Sequence, residues 1–125
     1  MLPRYYYILE NRVPIEETDI AEWEFWMETH DTLVALAEFE WGRMSTVFLG
    51  RNHNWSLEGQ PILFETMIFG GGDLDDTTFR YSTWDEALST HNAICQVLID
   101  AYSPSLTGDE LVAKVSQRLL PGAEK

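Results

Sequence analysis

The chain has 125 residues, 45% of them hydrophobic and 13% aromatic, which is enough to bury a core in one domain without disulfides or a structural metal. Its 21 acidic and 8 basic residues give a net charge of −13, which disfavours direct binding to nucleic acid and to anionic membranes. No second cysteine can pair with Cys95, and no apolar run reaches the roughly 18 residues that span a bilayer. The N-terminus also lacks the apolar core of a signal peptide, so we expect a cytoplasmic protein. Residues 1–122 are predicted to form the domain and residues 123–125 a frayed tail.

The negative charge is concentrated at the start of the chain. Residues 1–40 contain ten acidic residues against Arg4 and Arg12, a net charge of −8. One interpretation is a solvated face that keeps a small protein in solution. The other is a surface that presents carboxylates to a basic partner and, in the extreme case, imitates nucleic acid.

The first predicted elements are a strand and a helix. The aromatic run Tyr5–Leu9 is typical of a short strand, which Pro14 and the polar residues after it are expected to end. Asp19 then fits a helix N-cap with a glutamate three residues later, and the helix is predicted to run to about Thr29. The apolar face of this helix is predicted to consist of Ile20, Trp23 and Met27.

Three further strands are predicted at Thr32–Trp41, Met44–Leu49 and Ile62–Phe69. Gly42-Arg43 is expected to form the hairpin turn between the first two of them. The polar segment Arg51–Gln60 is expected to be a loop, and the glycine run Gly70–Gly72 should end the last strand before an acidic loop at Asp73–Thr78. Runs joined in this way predict an antiparallel meander.

Two helices are predicted in the last third of the chain. Thr83 fits an N-cap with a glutamate three residues later, and the helix should end near Tyr102 because a proline follows Ser103. Its apolar stripe is predicted to be Trp84, Leu88, His91, Cys95, Leu98 and Tyr102. A last helix should begin at Thr107 and end at Pro121-Gly122. The predicted fold class is therefore α+β: a small two-layer domain with a mostly antiparallel sheet of about four strands and two to three helices on one face.

Five side chains are candidates for a binding site: His53, Glu65, Arg80, Tyr81 and His91. His53 lies in a polar loop after a strand, where functional groups are often mounted on a rigid sheet. Glu65 is a lone acid in an apolar strand, so it either points to solvent or needs a partner such as Arg80 or a histidine. Arg80 and Tyr81 directly precede a helix cap. His91 lies on the apolar stripe, where a core histidine with one hydrogen-bond partner is the usual structural role.

A catalytic alternative combines His53, Glu65 and His91 as a cluster of two histidines and one carboxylate that would bind a transition metal. The chain has none of the usual metal-ligand spacings, and the glycine run lacks the Lys-Ser/Thr pair of a phosphate-binding loop. We therefore expect no catalytic residue, no metal site and no cofactor, and we keep the metal-dependent enzyme or ligand-binding protein as the alternative.

Three sequence blocks resemble a family of short uncharacterised proteins encoded by phages and prophages. The blocks are S-T-V-F-L-G-x-x-H at Ser45–His53, P-x-L-F-E-T-M-x-F-G-G at Pro61–Gly71 and R-Y-x-T-W-x-E-A at Arg80–Ala87. The resemblance implies a viral or prophage origin and a host cytoplasm as the compartment, and it carries no activity over to this chain. The residues after Tyr102 lie outside it.

The sequence thus favours a non-enzymatic accessory protein that binds a host or viral protein, in host take-over or counter-defence. The partner is expected to be a protein with a basic surface, with no nucleic acid and no membrane, and the oligomeric state is left open between monomer and homodimer. A minor virion or assembly component is the second alternative.

Overall fold

The structure, a computed structural model, describes residues 5–56 and 58–119 and contains six strands and three helices in that part of the chain. In chain order these are β1 (Tyr7–Glu10), β2 (Val13–Glu16), α1 (Ile20–Thr29), β3 (Leu33–Phe39), β4 (Gly42–Phe48), β5 (Phe64–Gly70), β6 (Thr78–Tyr81), α2 (Trp84–Ala101) and α3 (Gly108–Leu119). A 3-10 turn, Gly72–Leu74, lies between β5 and β6. The α+β prediction is confirmed.

The main sheet is an antiparallel meander with strand order β3-β4-β5-β6. Its register places Glu65 opposite both Val47 and Arg80, and Thr66 opposite Thr46. The turn that joins β3 to β4 is Glu40-Trp41, two residues earlier than predicted. Gly42 is the first residue of β4 and pairs with Gly70 of β5, where a Cβ atom would overlap the carbonyl oxygen of Phe69.

Two short strands were missed by the sequence prediction. The first is β2, which pairs with β1 across a turn in which Asn11 and Arg12 have φ of 50° and 68°. Two positive φ values are the geometry of a tight hairpin turn, and Pro14 is tolerated because β2 has a partner on one side only. The second is β6, whose four residues follow the acidic loop and lie just before the cap of α2.

The helices all pack against the same side of the main sheet. The inward side chains of β4 and β5 are fully or almost fully buried: Met44, Thr46, Phe48, Phe64, Thr66 and Ile68. The helix α2 covers them, and its buried residues are Ala87, His91, Ala93, Ile94, Val97 and Leu98. The predicted stripe is therefore right at His91 and Leu98, whereas its other members lie at the flanks of the buried face and are only partly buried.

The core has two parts along the length of α2. One contains Met44, Ile68, Ile94 and Leu98 together with Leu111 and Val115 of α3. The other contains Phe48, Phe64 and Tyr81, and it receives Tyr7 of β1 and Trp26 and Met27 of α1. The N-terminal hairpin and α1 therefore belong to the helical layer.

Local signals set the helix ends. Asp19 accepts hydrogen bonds from the backbone N–H groups of Ala21 and Glu22, and Thr83 accepts from that of Glu86, as the capping patterns predict. Thr107 and Glu110 make the same reciprocal contacts at the start of α3. The predicted stop at Pro121-Gly122 and the tail at residues 123–125 lie outside the described residues. Within residues 5–56 and 58–119, no helix is both long and apolar enough to cross a membrane.

Candidate functional site

Two of the five candidate residues, Tyr81 and His91, meet in a buried polar network between the sheet and α2. The hydroxyl of Tyr81 donates to Oγ1 of Thr66 at 2.9 Å, and Thr66 is hydrogen-bonded to Thr46. Oγ1 of Thr46 lies 2.7 Å from Nδ1 of His91. All four side chains are buried, and burial lowers the pKa of His91 and raises the pKa of Tyr81 to about 12. A neutral histidine with a hydroxyl partner fits the core role that the sequence favoured.

The other face of the sheet carries Glu65 and Arg80. These residues are directly opposite in the register of β5 and β6, and Nε of Arg80 donates to Oε2 of Glu65 at 3.0 Å. The partner of Glu65 is thus internal. Because side chains alternate along a strand, Glu65 points away from its neighbour Thr66, which faces His91. Glu65 and His91 therefore lie on opposite sides of the sheet.

His53 lies apart from both pairs, in the loop after β4. Its Nδ1 is 2.9 Å from the carbonyl oxygen of Arg51, and its ring lies beside that of Trp55. The structure therefore does not bring His53, Glu65 and His91 together. In the part of the chain that the structure describes, no group of three or more His, Cys, Asp or Glu side chains is arranged to hold a metal ion.

A shallow cavity of about 290 Å³ lies between the N-terminal hairpin turn and the start of α2. The guanidinium of Arg12 packs 5.0 Å from the ring centre of Trp84, and Val13 and Pro14 form an apolar wall. Asp85 adds a carboxylate at the rim, so charges of both signs are present. This contact holds the hairpin against α2.

The outward side chains of the main sheet form a surface that we call the open sheet face. The strand register arranges it in three rows: Leu33, Val47, Glu65 and Arg80; then Leu36, Ser45, Met67 and Thr78; then Glu38, Arg43 and Phe69. Leu33 and Leu36 are 41% and 48% exposed. The guanidinium of Arg43 lies over the ring of Phe69 at 5.0 Å. Every helix that the structure describes belongs to the opposite layer.

A second exposed surface, the acidic helix surface, is the outer side of α1: Glu22, Glu24, Phe25 and Glu28. Trp23 is buried and its indole N–H donates to the carbonyl oxygens of Tyr7 and Gly50, which fixes the rotation of the helix. Phe25 then points away from the core and is 64% exposed. Glu22 and Glu28, three residues away in either direction, are its neighbours on the helix surface. Ile20, predicted to lie on the buried face, is instead half exposed at the first residue of the helix.

Sequence reasoning missed Thr46, Thr66 and Phe25. The signal for the threonines was the period-2 alternation, since each lies two residues from large apolar side chains on both sides in its own strand. Inward threonines on adjacent strands call for polar partners in the core. For Phe25, the signal was that Trp23, Trp26 and Met27 already fill one side of the helix.

We compared the chain with protein-family models, with curated protein sequences and with solved structures, and found no match in any of the three.

Proposed function

We propose that this protein is a small accessory protein that binds a basic host or viral protein through the acidic helix surface and has no catalytic activity of its own. The observation that carries the proposal is Phe25, a large apolar side chain that is 64% exposed between two glutamates. No Lys or Arg occurs between Arg12 and Arg43, so no basic side chain from this stretch neutralises the helix.

The chemistry of this surface suits a partner with basic residues around an apolar pocket. Exposed carboxylates attract a basic surface over a distance and raise the rate of encounter. A protruding aromatic side chain can then enter a pocket and exclude water, which is how a few residues supply most of the energy of an interface. The charged rim adds specificity and makes the affinity depend on salt.

The setting of this activity follows from the resemblance to phage and prophage proteins. It supports a host cytoplasm as the compartment and host take-over or counter-defence as the purpose. In such a setting, we expect the protein to act by occupying a surface of another protein.

The test is affinity capture from host cells with the wild-type protein as bait, followed by calorimetry with the purified partner. We expect Phe25→Ala to raise the dissociation constant by at least about tenfold, since removal of a central aromatic anchor commonly costs more than 1.4 kcal/mol. The affinity should also fall as NaCl is raised, because the attraction is between opposite charges.

The matched control is Ile99→Ala, which truncates another exposed apolar side chain, 68% exposed on α2. This variant should bind the same partner with unchanged affinity. A partner that binds Phe25→Ala and wild type equally, or a protein that turns over a small substrate and captures no partner, would rule out the proposal.

A further inference from the structure

The open sheet face is too apolar for the solvent side of a sheet. Antiparallel sheets that face water on one side normally present polar side chains there. Here Leu33, Leu36, Val47, Met67 and Phe69 point outward, and they adjoin one another across three strands. Leu33 and Leu36 are exposed and the other three are partly exposed, and an apolar patch of this kind on a small protein marks an interaction surface.

The charge of this face differs from that of the rest of the molecule. It carries two acids, Glu38 and Glu65, and two bases, Arg43 and Arg80, so its formal charge is zero. The whole net charge of −13 therefore lies on other parts of the chain. A basic partner gains nothing from a neutral face, whereas it is attracted to the acidic helix surface. A second copy of this chain is also acidic, so the acidic surfaces repel it. The repulsion is weakest at the open sheet face.

We propose that the open sheet face binds a second copy of the protein, so that two main sheets stack face to face in a symmetric dimer. A two-fold interface must be complementary to itself, and a face whose two outer rows each carry one Glu and one Arg, with apolar side chains in all three rows, meets that condition. Stacked sheets lie about 10 Å apart with their side chains interleaved. The side chain of Arg80 is 48% exposed beside its bond to Glu65, so it is free to approach a carboxylate of the second copy.

The size of the face sets the strength of this dimer. Three strands of seven residues and one of four, at about 3.3 Å per residue and about 4.8 Å between strands, give a flat area of about 400 Å² per copy. Both copies together bury about 800 Å², which is below the roughly 1,000 Å² of a stable specific interface and in the range of weak, transient contacts. The dimer is therefore weak and reversible, and it forms as the protein concentration rises.

The dimer interface is separate from the surface used in the proposed function. The helix α1 packs through Trp26 onto Phe48, which faces the helical layer, so dimerisation leaves Phe25 of each copy free. A dimer would present two acidic helix surfaces to one partner or to two.

The test is sedimentation equilibrium of the full chain from about 10 µM to about 1 mM, at about 50 mM and about 500 mM NaCl. We expect dimer at high concentration and more dimer at high salt, because salt screens the repulsion between two copies of charge −13. Leu36→Lys should raise the dissociation constant by at least tenfold, since in each copy it replaces an exposed apolar side chain of the face with an ammonium group that must lose water on binding.

The matched control is Ile99→Lys, which makes the same change of charge at an exposed apolar residue on the helical layer. It should dimerise like the wild type, and circular dichroism should show that both variants are folded. A chain that stays monomeric at about 1 mM in high salt, or a dimer that survives Leu36→Lys, would overturn the proposal. Partner binding through Phe25 weakens with salt while dimerisation strengthens, so failure of one proposal is distinguishable from failure of the other.

Discussion

At the scale of single residues, the buried network is compatible with a neutral His91. Because Tyr81 donates to Thr66, the hydroxyl of Thr66 is free to donate to Thr46, and that of Thr46 to Nδ1 of His91. Such a chain of donors needs Nδ1 as an acceptor, which holds in neutral histidine protonated at Nε2. In a protonated His91, the proton on Nδ1 would face the hydroxyl proton that Thr46 donates in this arrangement. Burial lowers the pKa of His91, and the direction of this network opposes protonation as well.

This network predicts a loss of stability at acidic pH. The pKa of His91 in the folded protein lies below the ordinary value of 6.5, so the unfolded chain binds a proton first as the pH falls. The contribution of neutral His91 is complete above pH 6.5 and declines from there down to the folded pKa, by up to about 1.4 kcal/mol per pH unit. We expect the free energy of unfolding in urea to fall less between pH 7 and about pH 5.5 in His91→Gln than in wild type.

The matched control for that measurement is Asn92→Gln, which changes an exposed, non-titrating residue next to His91 on α2. Its pH dependence should follow that of wild type. Equal losses of stability in wild type and in His91→Gln would show that other groups cause the acid sensitivity.

At the scale of elements, the pairing of β4 with β5 depends on Gly42. This residue lies opposite Gly70, and a Cβ atom on it would overlap the carbonyl oxygen of Phe69. Gly42→Ala must therefore push two paired strands apart, and we expect it to lower the free energy of unfolding by about 3 kcal/mol or more. Urea unfolding monitored by tryptophan fluorescence measures the change.

Gly59→Ala is the comparison for that variant. Gly59 has φ of +86° in a loop, and the atom nearest to an added Cβ is Nδ2 of Asn54 at 3.4 Å. Gly59→Ala should lower the free energy of unfolding only through the strain of a left-handed backbone at an alanine, by about 1–2 kcal/mol. If Gly42→Ala were no more destabilising than Gly59→Ala, the close approach of β4 and β5 would not be a constraint on the fold.

The elements that the sequence predicted well are those set by local chemistry. The caps at Asp19, Thr83 and Thr107 each consist of residues at most three positions apart, and the three helices begin where these patterns placed them. Errors occurred where a contact distant in sequence decides the structure. Gly42 looked like a turn residue because its constraint comes from Phe69 on the next strand. The error at Pro14 is local instead, since its hairpin depends on positive φ at Asn11 and Arg12, which the pattern of residue types does not indicate.

The candidate site also combines features that local sequence predicts with features that depend on contacts distant in sequence. Residue type and position single out Glu65 and Arg80, but their pairing requires the register of β5 with β6, a strand of four residues that the sequence does not predict. The core role of His91 followed from its position on the helix stripe. The open sheet face could not be foreseen, because it combines outward residues from four strands whose registers are set only by tertiary packing.

At the scale of the whole molecule, charge and apolar surface are segregated. Three exposed glutamates accompany Phe25 on the acidic helix surface, whereas the open sheet face has no net charge and carries five outward apolar side chains. The net negative charge therefore favours the proposed binding of a basic partner and opposes the proposed binding of a second copy of the chain. It also acts on the fold itself, since carboxylates brought together on folding repel one another.

This repulsion predicts that salt stabilises the folded chain. At a few µM, where the weak dimer is absent, raising NaCl from about 50 mM to about 500 mM shortens the screening length from over 10 Å to about 4 Å. The urea midpoint should rise with an unchanged denaturant slope, because the folded monomer gains more from screening than the expanded unfolded chain. The double variant Glu24→Gln/Glu28→Gln should show a smaller rise, since it removes two charges from the acidic helix surface. A midpoint that falls with salt would mean instead that ion pairs such as Glu65 with Arg80 contribute more to stability than the repulsion costs.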